Sequence, residues 1–213
     1  MNNNIGIFGG FKNATSTLQH SFNCKKYHDL PFLIPKEEFD KLDIIIIPYR
    51  KNEHVYPSAF FQDIIISEYG YSPFHKSNFL EKFSNLSKNE KKDIILKSNI
   101  EDIYKLYKKI KWNKIINLNN KLRLQQINDY YKINLKYHEK ETQILKININ
   151  NKIRTLICFN CWFLNDRFEE LKKIIFNQQK NNIKLIESNI GKTKWYQDKY
   201  KLFIEYLKKK GEY

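Results

Sequence analysis

Two short apolar runs decide the fold of this chain: Ile5-Gly6-Ile7-Phe8 and Asp43-Ile44-Ile45-Ile46-Ile47. Unbroken apolar runs of four or five residues, rich in β-branched side chains, are typical of strands covered on both faces, as in the parallel sheets of α/β proteins. In open sheets of this kind, ligands bind beyond the carboxyl ends of the strands. The loops that follow Phe8 and Ile47 are therefore the predicted place for a functional site.

Length and composition predict one large domain, or one domain with a small appendage. The chain has 213 residues, of which 41% are hydrophobic and 15% aromatic, enough for a substantial core. We expect a single three-layer α/β domain over residues 1–213, built on a mainly parallel sheet. Within it we expect a helical insertion at about 78–130 and a C-terminal helix at 194–210.

Local signals place further elements along the chain. Apolar residues recur at i, i+4 and i+8 from Ala14, which predicts a helix over 13–27. Ser87 and Ser98 each stand three residues before a glutamate, the spacing of a capping box, and Gly211 is placed to end the last helix. The remaining predictions are a polar loop at 51–57, a helix at 115–130 and strands at 59–67, 152–159 and 183–187.

The charge of the chain has two interpretations. The net charge of +15 favours anionic partners and admits nucleic acid. However, lysine outnumbers arginine 34 to 4 and alanine occurs only at 14 and 59, a composition typical of a strongly AT-rich genome. Proteins that read phosphates or bases favour arginine, because its guanidinium binds in a bidentate manner. The charge alone therefore does not indicate a nucleic-acid-binding protein.

Targeting signals and cysteine usage point to a reducing compartment. No apolar stretch approaches the roughly 20 residues that a membrane-spanning helix needs. The N-terminus, Met1-Asn2-Asn3-Asn4, lacks the pattern of a signal peptide, so a cytoplasmic location is expected. The three cysteines are an odd number and predict free thiols rather than a disulfide framework.

The loop after the first strand is a candidate anion site. Two glycines permit a tight turn, and the amides at the start of the following helix attract anions. The loop matches neither a dinucleotide-binding nor a Walker pattern, and an ordinary strand-to-helix turn with a polar cap is the alternative. The candidate ligand-binding residues are Gly9, Gly10, Lys12, Asn13 and Thr15, with Ser16 as a candidate catalytic residue.

The loop after the second strand supplies further candidates. Arg50 is one of four arginines and follows a predicted strand, where it could bind a phosphate or carboxylate together with Tyr49. His54 and His75 are candidates for general acid–base catalysis. A solvated loop and an isolated structural histidine are the alternatives for these positions.

Cysteines and histidines form weak candidates for a metal or redox site. Cys158 and Cys161 have C-x-x-C spacing, and His20, Cys24 and His28 follow one another at intervals of four residues, which would place them on one face of a helix. Together they could bind zinc, and the C-x-x-C pair alone could support redox chemistry. Since the spacing of a complete zinc site is absent, we expect no metal, with buried cysteines and surface histidines as the alternative.

Several segments resemble the WcbI-type polysaccharide biosynthesis proteins, a family of capsule acetyltransferases. The resemblance covers residues 4 to 177. The run 43–47 resembles the family's central strand, and Tyr56-Pro57-Ser58-Ala59-Phe60-Phe61 resembles its Pro-x-x-Tyr-Phe segment. Residues 86–90 and 98–103 resemble its Leu-Ser-x-x-Glu helix and the segment after it, and 154–160 the strand before an Asn-His-Pro loop.

The chain departs from this family at its two most reactive positions. Gly9-Gly10-Phe11-Lys12 stands where the family has Gly-Asn-Cys-Gln, and Asn160-Cys161-Trp162 where it has Asn-His-Pro. Only Gly9 and Asn160 match the family directly, and Asn160 is thereby a candidate ligand-binding residue.

The resemblance implies a transferase-like protein of surface-polysaccharide biosynthesis, with acetyl transfer from coenzyme A or acetyl-coenzyme A to a glycan acceptor. Whether the chain is catalytic is left open, since no nucleophile and base are paired by spacing. The alternative is a basic nucleic-acid-binding protein, a ribonucleoprotein component or a nuclease-like protein, with lysine-rich helices at 105–114 and 194–210. The two hypotheses differ in whether charge gathers in a cleft or along a broad stripe.

Overall fold

The structure is a computed structural model that describes residues 4–10, 15–61, 86–109, 119–138, 141–176, 183–185 and 196–213. The chain divides into two compact units. The first comprises Met1–Lys51 and Ile116–Asn189, and the second comprises Asn52–Ile115 and Ile190–Tyr213. Within the described residues, no helix combines the length and the hydrophobicity that a membrane span requires.

The first unit contains a five-stranded sheet. Its strands are β1 (Ile5–Phe8), β2 (Lys25–Tyr27), β3 (Ile44–Tyr49), β4 (Gln143–Ile149) and β5 (Lys152–Asn160). They lie in the order β2-β1-β3-β5-β4. All neighbours are parallel except β4 and β5, which form an antiparallel hairpin. The prediction of an α/β fold with a mainly parallel sheet is confirmed.

The described helices divide between the two units. The first unit holds α1 (Thr15–Phe22), α2 (Lys36–Phe39), α6 (Asn120–Tyr131) and α7 (Leu164–Phe176), with short 3-10 turns at Pro31–Leu33 and Cys161–Phe163. The second unit holds α3 (Asn52–Ala59), α4 (Lys88–Lys97), α5 (Ile100–Lys108) and α8 (Gln197–Lys209).

The isoleucine run of β3 is buried on both faces of the sheet. Ile44 and Ile46 belong to a core shared with α1 and α7, whereas Ile45 and Ile47 belong to a core shared with α2 and α6. Successive side chains of a strand point to opposite faces, so a strand between two helical layers needs apolar residues at every position. This arrangement gives the first unit its three layers.

Gly6 allows β1 to pack closely against its surroundings. A Cβ atom at this position would lie 2.8 Å from Leu42 Cδ1 and 2.8 Å from Phe8 Cε2. Because Cβ atoms essentially never approach other atoms so closely, any larger residue at this position would require the Leu42 and Phe8 side chains to shift. The apolar run that predicts β1 therefore contains one position, Gly6, where the neighbouring side chains leave little room for a side chain.

The second unit is organised around an aromatic core. Phe203 of α8 packs against Tyr107 of α5 and against Phe60 and Phe61, which extend α3 by a wider helical turn. The four rings are all at most 7% exposed. Helix α4 begins with the predicted capping box, in which Ser87 and Glu90 bond each other's backbone amides. Gly211 follows α8 with φ of 71°, the left-handed conformation that ends helices.

Several element predictions are wrong. The predicted helix 13–27 ends at Phe22, because Asn23 adopts a left-handed conformation with φ of 49° and the chain then forms the edge strand β2. The predicted loop 51–57 is helical as α3. Asn99, rather than Ser98, caps α5 by accepting a hydrogen bond from the Asp102 amide.

Two of the expected strands are not formed where the structure describes them. Of the predicted strand 59–67, residues 59–61 are helical and 62–67 lie outside the described residues. Of the predicted strand 183–187, residues 183–185 are irregular and the other two lie outside the described residues. The predictions at 115–130 and 152–159 agree with α6 and β5 over the part that is described.

Candidate functional site

The carboxyl ends of β1, β3 and β5 meet at one edge of the sheet, here called the carboxyl edge. Strands β2 and β3 lie on opposite sides of β1, so the chain reverses its direction of progress across the sheet at the β1–β3 pair. Such switch points are where open α/β sheets bind ligands, because the loops on either side diverge and leave a crevice. The predicted position of the site at strand ends thus coincides with a switch point of the observed sheet.

The first loop begins at this edge. Gly9 and Gly10 follow β1 and are buried, and the Gly9 amide donates a hydrogen bond to the Tyr27 carbonyl at 3.3 Å. Thr15 is the first residue of α1 and is 7% exposed. Lys12 and Asn13, the predicted anion ligands between these elements, lie outside the described residues.

Arg50 follows β3 and is held by an aromatic ring. The centre of its guanidinium lies 4.4 Å from the centroid of the Trp162 indole, a cation–π distance. Asn120 of α6 donates to the Arg50 carbonyl at 2.8 Å, which anchors the backbone. The Arg50 Nε atom is buried and has no hydrogen-bond partner among the described residues. The guanidinium is therefore positioned by its contact with the Trp162 ring, and its Nε–H group is not satisfied by a described residue.

Asn160 binds the backbone of Trp162, the residue whose ring contacts Arg50. It ends β5 and is 6% exposed, and its side-chain oxygen accepts a hydrogen bond from the Trp162 amide at 3.1 Å. This bond caps the turn Cys161–Phe163 that leads into α7. Asn160 thus positions Trp162 at the carboxyl edge. Sequence reasoning selected Asn160 and Arg50 but missed Trp162, whose only signal was its place two residues beyond a strand end.

Ser16 lies beside a second cation that sequence reasoning missed. The Lys26 ammonium donates a hydrogen bond to the Ser16 hydroxyl at 3.0 Å. Lys26 pairs with Ile7 across the β1–β2 ladder, so its side chain lies on the same face of the sheet as Ile7 and α1. The erroneous helix prediction over 13–27 concealed this pairing. Lys26 and Arg50 consequently come from the two strands that flank β1.

Tyr49 serves the packing of the sheet. Its ring is 1% exposed and belongs to the core beneath α2 and α6. The hydroxyl donates to the His138 carbonyl at 2.5 Å and accepts from the His138 amide at 2.9 Å. Burial raises the pKa of Tyr49, so the phenol stays protonated. These two bonds tie the segment before β4 to β3.

The cysteine and histidine candidates are dispersed. Cys158 and Cys161 are buried in opposite cores of the sheet, and burial raises the pKa of both thiols, that of Cys161 to about 12. His20 is exposed at the end of α1, whereas Cys24 lies at the amino end of β2. Across the described ranges, no three His, Cys, Asp or Glu side chains are grouped to bind a metal. The residues of the hypothetical zinc site therefore do not converge.

The two histidines predicted for catalysis have different outcomes. His54 belongs to α3 in the second unit, where its ring meets the ring of Tyr213 edge-on at 4.6 Å between centroids. His75 lies outside the described residues.

His28, the third residue of the candidate zinc set on the predicted helix 13–27, instead follows the edge strand β2. Burial lowers its pKa, and the nearby charges of Lys26 and Arg123 lower it further. Arg123 is 4% exposed and donates to the carbonyls of His28 and Asp29, each at 3.1 Å, which fixes the turn after β2. The native structure therefore favours the neutral imidazole at this position.

The state of His28 predicts a pH dependence of stability. Because the native pKa lies below the ordinary value of about 6.5, the unfolded chain binds the proton first as the pH falls through that value. The free energy of unfolding is expected to decrease below pH 6.5, and less so in His28→Gln. Urea titrations between pH 5 and 8 measure this, with His20→Gln at an exposed site as the control. Equal pH slopes for wild type and His28→Gln would contradict the prediction.

Comparisons of the chain with protein-family models, with curated proteins and with solved structures found no match. The protein is accordingly described by its own fold and by the residues at the carboxyl edge of its sheet. The chain contains an α/β unit with a mostly parallel sheet, in which Lys26 on β2 and Arg50 after β3 lie on the two sides of the first strand.

Proposed function

We propose that the carboxyl edge binds a small phosphate-bearing donor and that the protein is transferase-like, acting in surface-polysaccharide biosynthesis. The observation that carries the proposal is the Arg50 guanidinium, which is stacked on Trp162 and forms no ion pair with any described carboxylate. A guanidinium that is positioned but not neutralised is suited to a phosphate or carboxylate.

The surroundings of β1 support an anionic ligand. Lys26 pairs with Ile7 from β2, and Arg50 follows β3 four residues beyond Ile46, the other partner of Ile7, so the two cations lie on the two sides of β1. Helix α1 begins beside them at Thr15 and has no acidic residue in its first turn. The positive end of the helix dipole at such a terminus would add to the attraction of the two cations.

Of the two reactive side chains considered at the carboxyl edge, Cys161 and Ser16, only Ser16 is a candidate for the transfer step. The Cys161 thiol is 8% exposed and its raised pKa keeps it protonated, so it is a poor nucleophile. The Ser16 hydroxyl accepts from Lys26 and retains its own proton for donation to a ligand. Coenzyme A or acetyl-coenzyme A is the donor that the family resemblance suggests, and a glycan is the acceptor.

The basic charge of the second unit gives the nucleic-acid alternative less support. In the lysine-rich helices, Lys105 lies 3.6 Å from Asp102 and Lys108 lies 3.3 Å from Glu212. Lys199 donates to the Ser98 carbonyl at 2.6 Å. Acids interleaved with lysines in this way reduce the single-signed field that a phosphate backbone would require.

Replacing Arg50 is expected to weaken donor binding. Hydrogen bonds to a charged group contribute about 1.5–3 kcal/mol, so Arg50→Gln should raise the Kd for acetyl-coenzyme A by about 10- to 100-fold. Thermal stabilisation and calorimetry measure this for coenzyme A, acetyl-coenzyme A, nucleotide sugars and pyrophosphate. Arg167→Gln is the matched control, since Arg167 is paired with Glu170 on α7.

Two results would overturn the proposal. One is that none of these anions stabilises the protein, and the other is that Arg50→Gln and Arg167→Gln bind them equally well. Stabilisation by short RNA alone, falling steeply with salt, would instead establish the nucleic-acid-binding alternative. Release of free coenzyme A in the presence of a glycan acceptor, lost in Ser16→Ala, tests the transfer step separately.

A further inference from the structure

A cavity of about 500 Å³ opens at the opposite, amino end of β1 and β2. Its walls come from β1, β2, the end of α1, the turn after α2 and the last residue of α7, all within the first unit. This volume lies in the range of sites that bind small organic molecules. The carboxyl edge does not contribute to it, so the cavity is separate from the site proposed above.

Part of the cavity lining is apolar. It consists of Ile5, Phe22 and Phe176 from one core of the sheet and Leu42 from the other, with the rings of Phe22 and Phe176 packed edge to face at 5.9 Å between centroids. These side chains provide a surface for a ring or a branched hydrocarbon body. Burial of that body supplies most of the binding energy in a site of this kind.

The polar part of the lining carries an excess of one positive charge, since it contains Lys25, Lys41 and Glu38. Lys25 binds both carboxylate oxygens of Glu38 at 2.8 and 2.9 Å and lies over the Tyr27 ring, so its charge is compensated. The carboxylate of Asp43, next along the chain, is occupied by the Asn4 amide at 3.0 Å and the Lys152 ammonium at 2.8 Å. Lys41 forms no ion pair with a described residue.

We propose that this cavity binds a small carboxylic acid with an apolar body, the carboxylate on Lys41 and the body against the apolar lining residues. Lys41 is a lining cation that forms no salt bridge with a described residue, because the one lining acid, Glu38, is paired with Lys25. Exposed ion pairs contribute little to affinity, so the charge acts mainly to select acids over neutral and basic analogues. The site is independent of the proposed donor site.

The cavity contains its own reporter group. Cys24 lines the wall and is partly exposed, whereas Cys158 and Cys161 are buried within the cores. N-ethylmaleimide should therefore modify the native protein first at Cys24, and a ligand in the cavity should slow that reaction. Burial raises the pKa of the Cys24 thiol to about 12, so the reaction is slow enough to follow by mass spectrometry of the intact chain.

The experiment compares 3-phenylpropanoate with its amide and its amine, and with hexanoate for an unbranched body. We expect protection of Cys24 by the acid at concentrations three- to tenfold lower than by the amide, and none by the amine. Lys41→Gln should reduce the acid to the level of the amide. Lys36→Gln, an exposed lysine of α2 that does not line the cavity, should leave protection unchanged.

The proposal is overturned if 10 mM acid gives no protection, or if acid, amide and amine protect alike. It is also overturned if Lys36→Gln and Lys41→Gln behave identically. If hexanoate protects Cys24 as well as 3-phenylpropanoate does, the cavity accepts acids with an acyl chain. If hexanoate protects less well, the cavity prefers acids with an aromatic ring. Both outcomes support the site. Arg50→Gln is expected to retain full protection, so failure of the donor-site proposal does not affect this result.

Discussion

Replacing Arg154 with alanine is expected to lower the free energy of unfolding by about 3–5 kcal/mol. The side chain is fully buried in β5, lies 4.8 Å from the Phe39 ring centroid and pairs with Asp40 at 3.2 Å. It also donates to the carbonyls of Ile149 and Lys152. Alanine removes the packed alkyl stem and leaves both carbonyls without this donor, which is costly in a core.

Two further variants separate the causes of this loss. Arg154→Met retains much of the volume, so a smaller loss than in alanine measures the packing contribution. Asp40→Asn keeps a hydrogen-bond acceptor but removes the compensating charge, and a loss of about 1–3 kcal/mol is expected. Urea titration followed by circular dichroism gives these values. A loss below 1 kcal/mol in Arg154→Ala would show that the buried cation is not a stabilising element.

Replacing Phe203 with alanine is expected to cost about 3–5 kcal/mol in the stability of the second unit. The ring is completely buried, and its centroid lies 5.3 Å from that of Tyr107 and 5.4 Å from that of Phe61. Removing it leaves a cavity in the centre of the aromatic core and also forfeits the aromatic pair contacts. Leu202→Ala, at a neighbouring position that is 50% exposed, is the control and should change stability by less than about 0.5 kcal/mol.

Hydrogen exchange shows where the loss from Phe203→Ala is felt. If the two units open separately, amides of α5 and α8 should exchange faster in this variant while those of β3 keep their protection. Unchanged exchange in α5 and α8 would contradict the assignment of Phe203 as the centre of that core. Uniformly faster exchange in both units would show that they unfold as one cooperative body.

The predictability of each element followed the strength of its local signal. Residues 5–8, 44–47 and 152–159 could be predicted as strands because central parallel strands need apolar residues on both faces. Strand β2 could not, since an edge strand of three residues with two lysines has no such pattern. Helix α3 contains Pro57 and only a modest apolar face, so its local sequence resembles a loop.

The sequence could predict at which edge of the sheet the candidate site lies, because that edge follows from the direction of the strands, but it could not predict the contacts within the site. Gly9, Arg50 and Asn160 could be assigned to one edge because parallel strands end on the same side of the sheet. The contact of Arg50 with Trp162 and that of Lys26 with Ser16 depend on strand order and register, which no local pattern contains. The cavity at the amino end of β1 and β2 was not predicted either, because its lining residues are distant from one another in sequence.

By itself, the sequence determined the class of fold, the central strands and the edge where their loops lie, because burial on two faces requires a continuous apolar run. Only the tertiary structure decided which side chains meet at that edge and that a cavity opens at the other. It also decided that Cys158 and Cys161 are buried on opposite faces. These contacts depend on packing between segments far apart in the chain, and each arises from shape and register rather than from local preference.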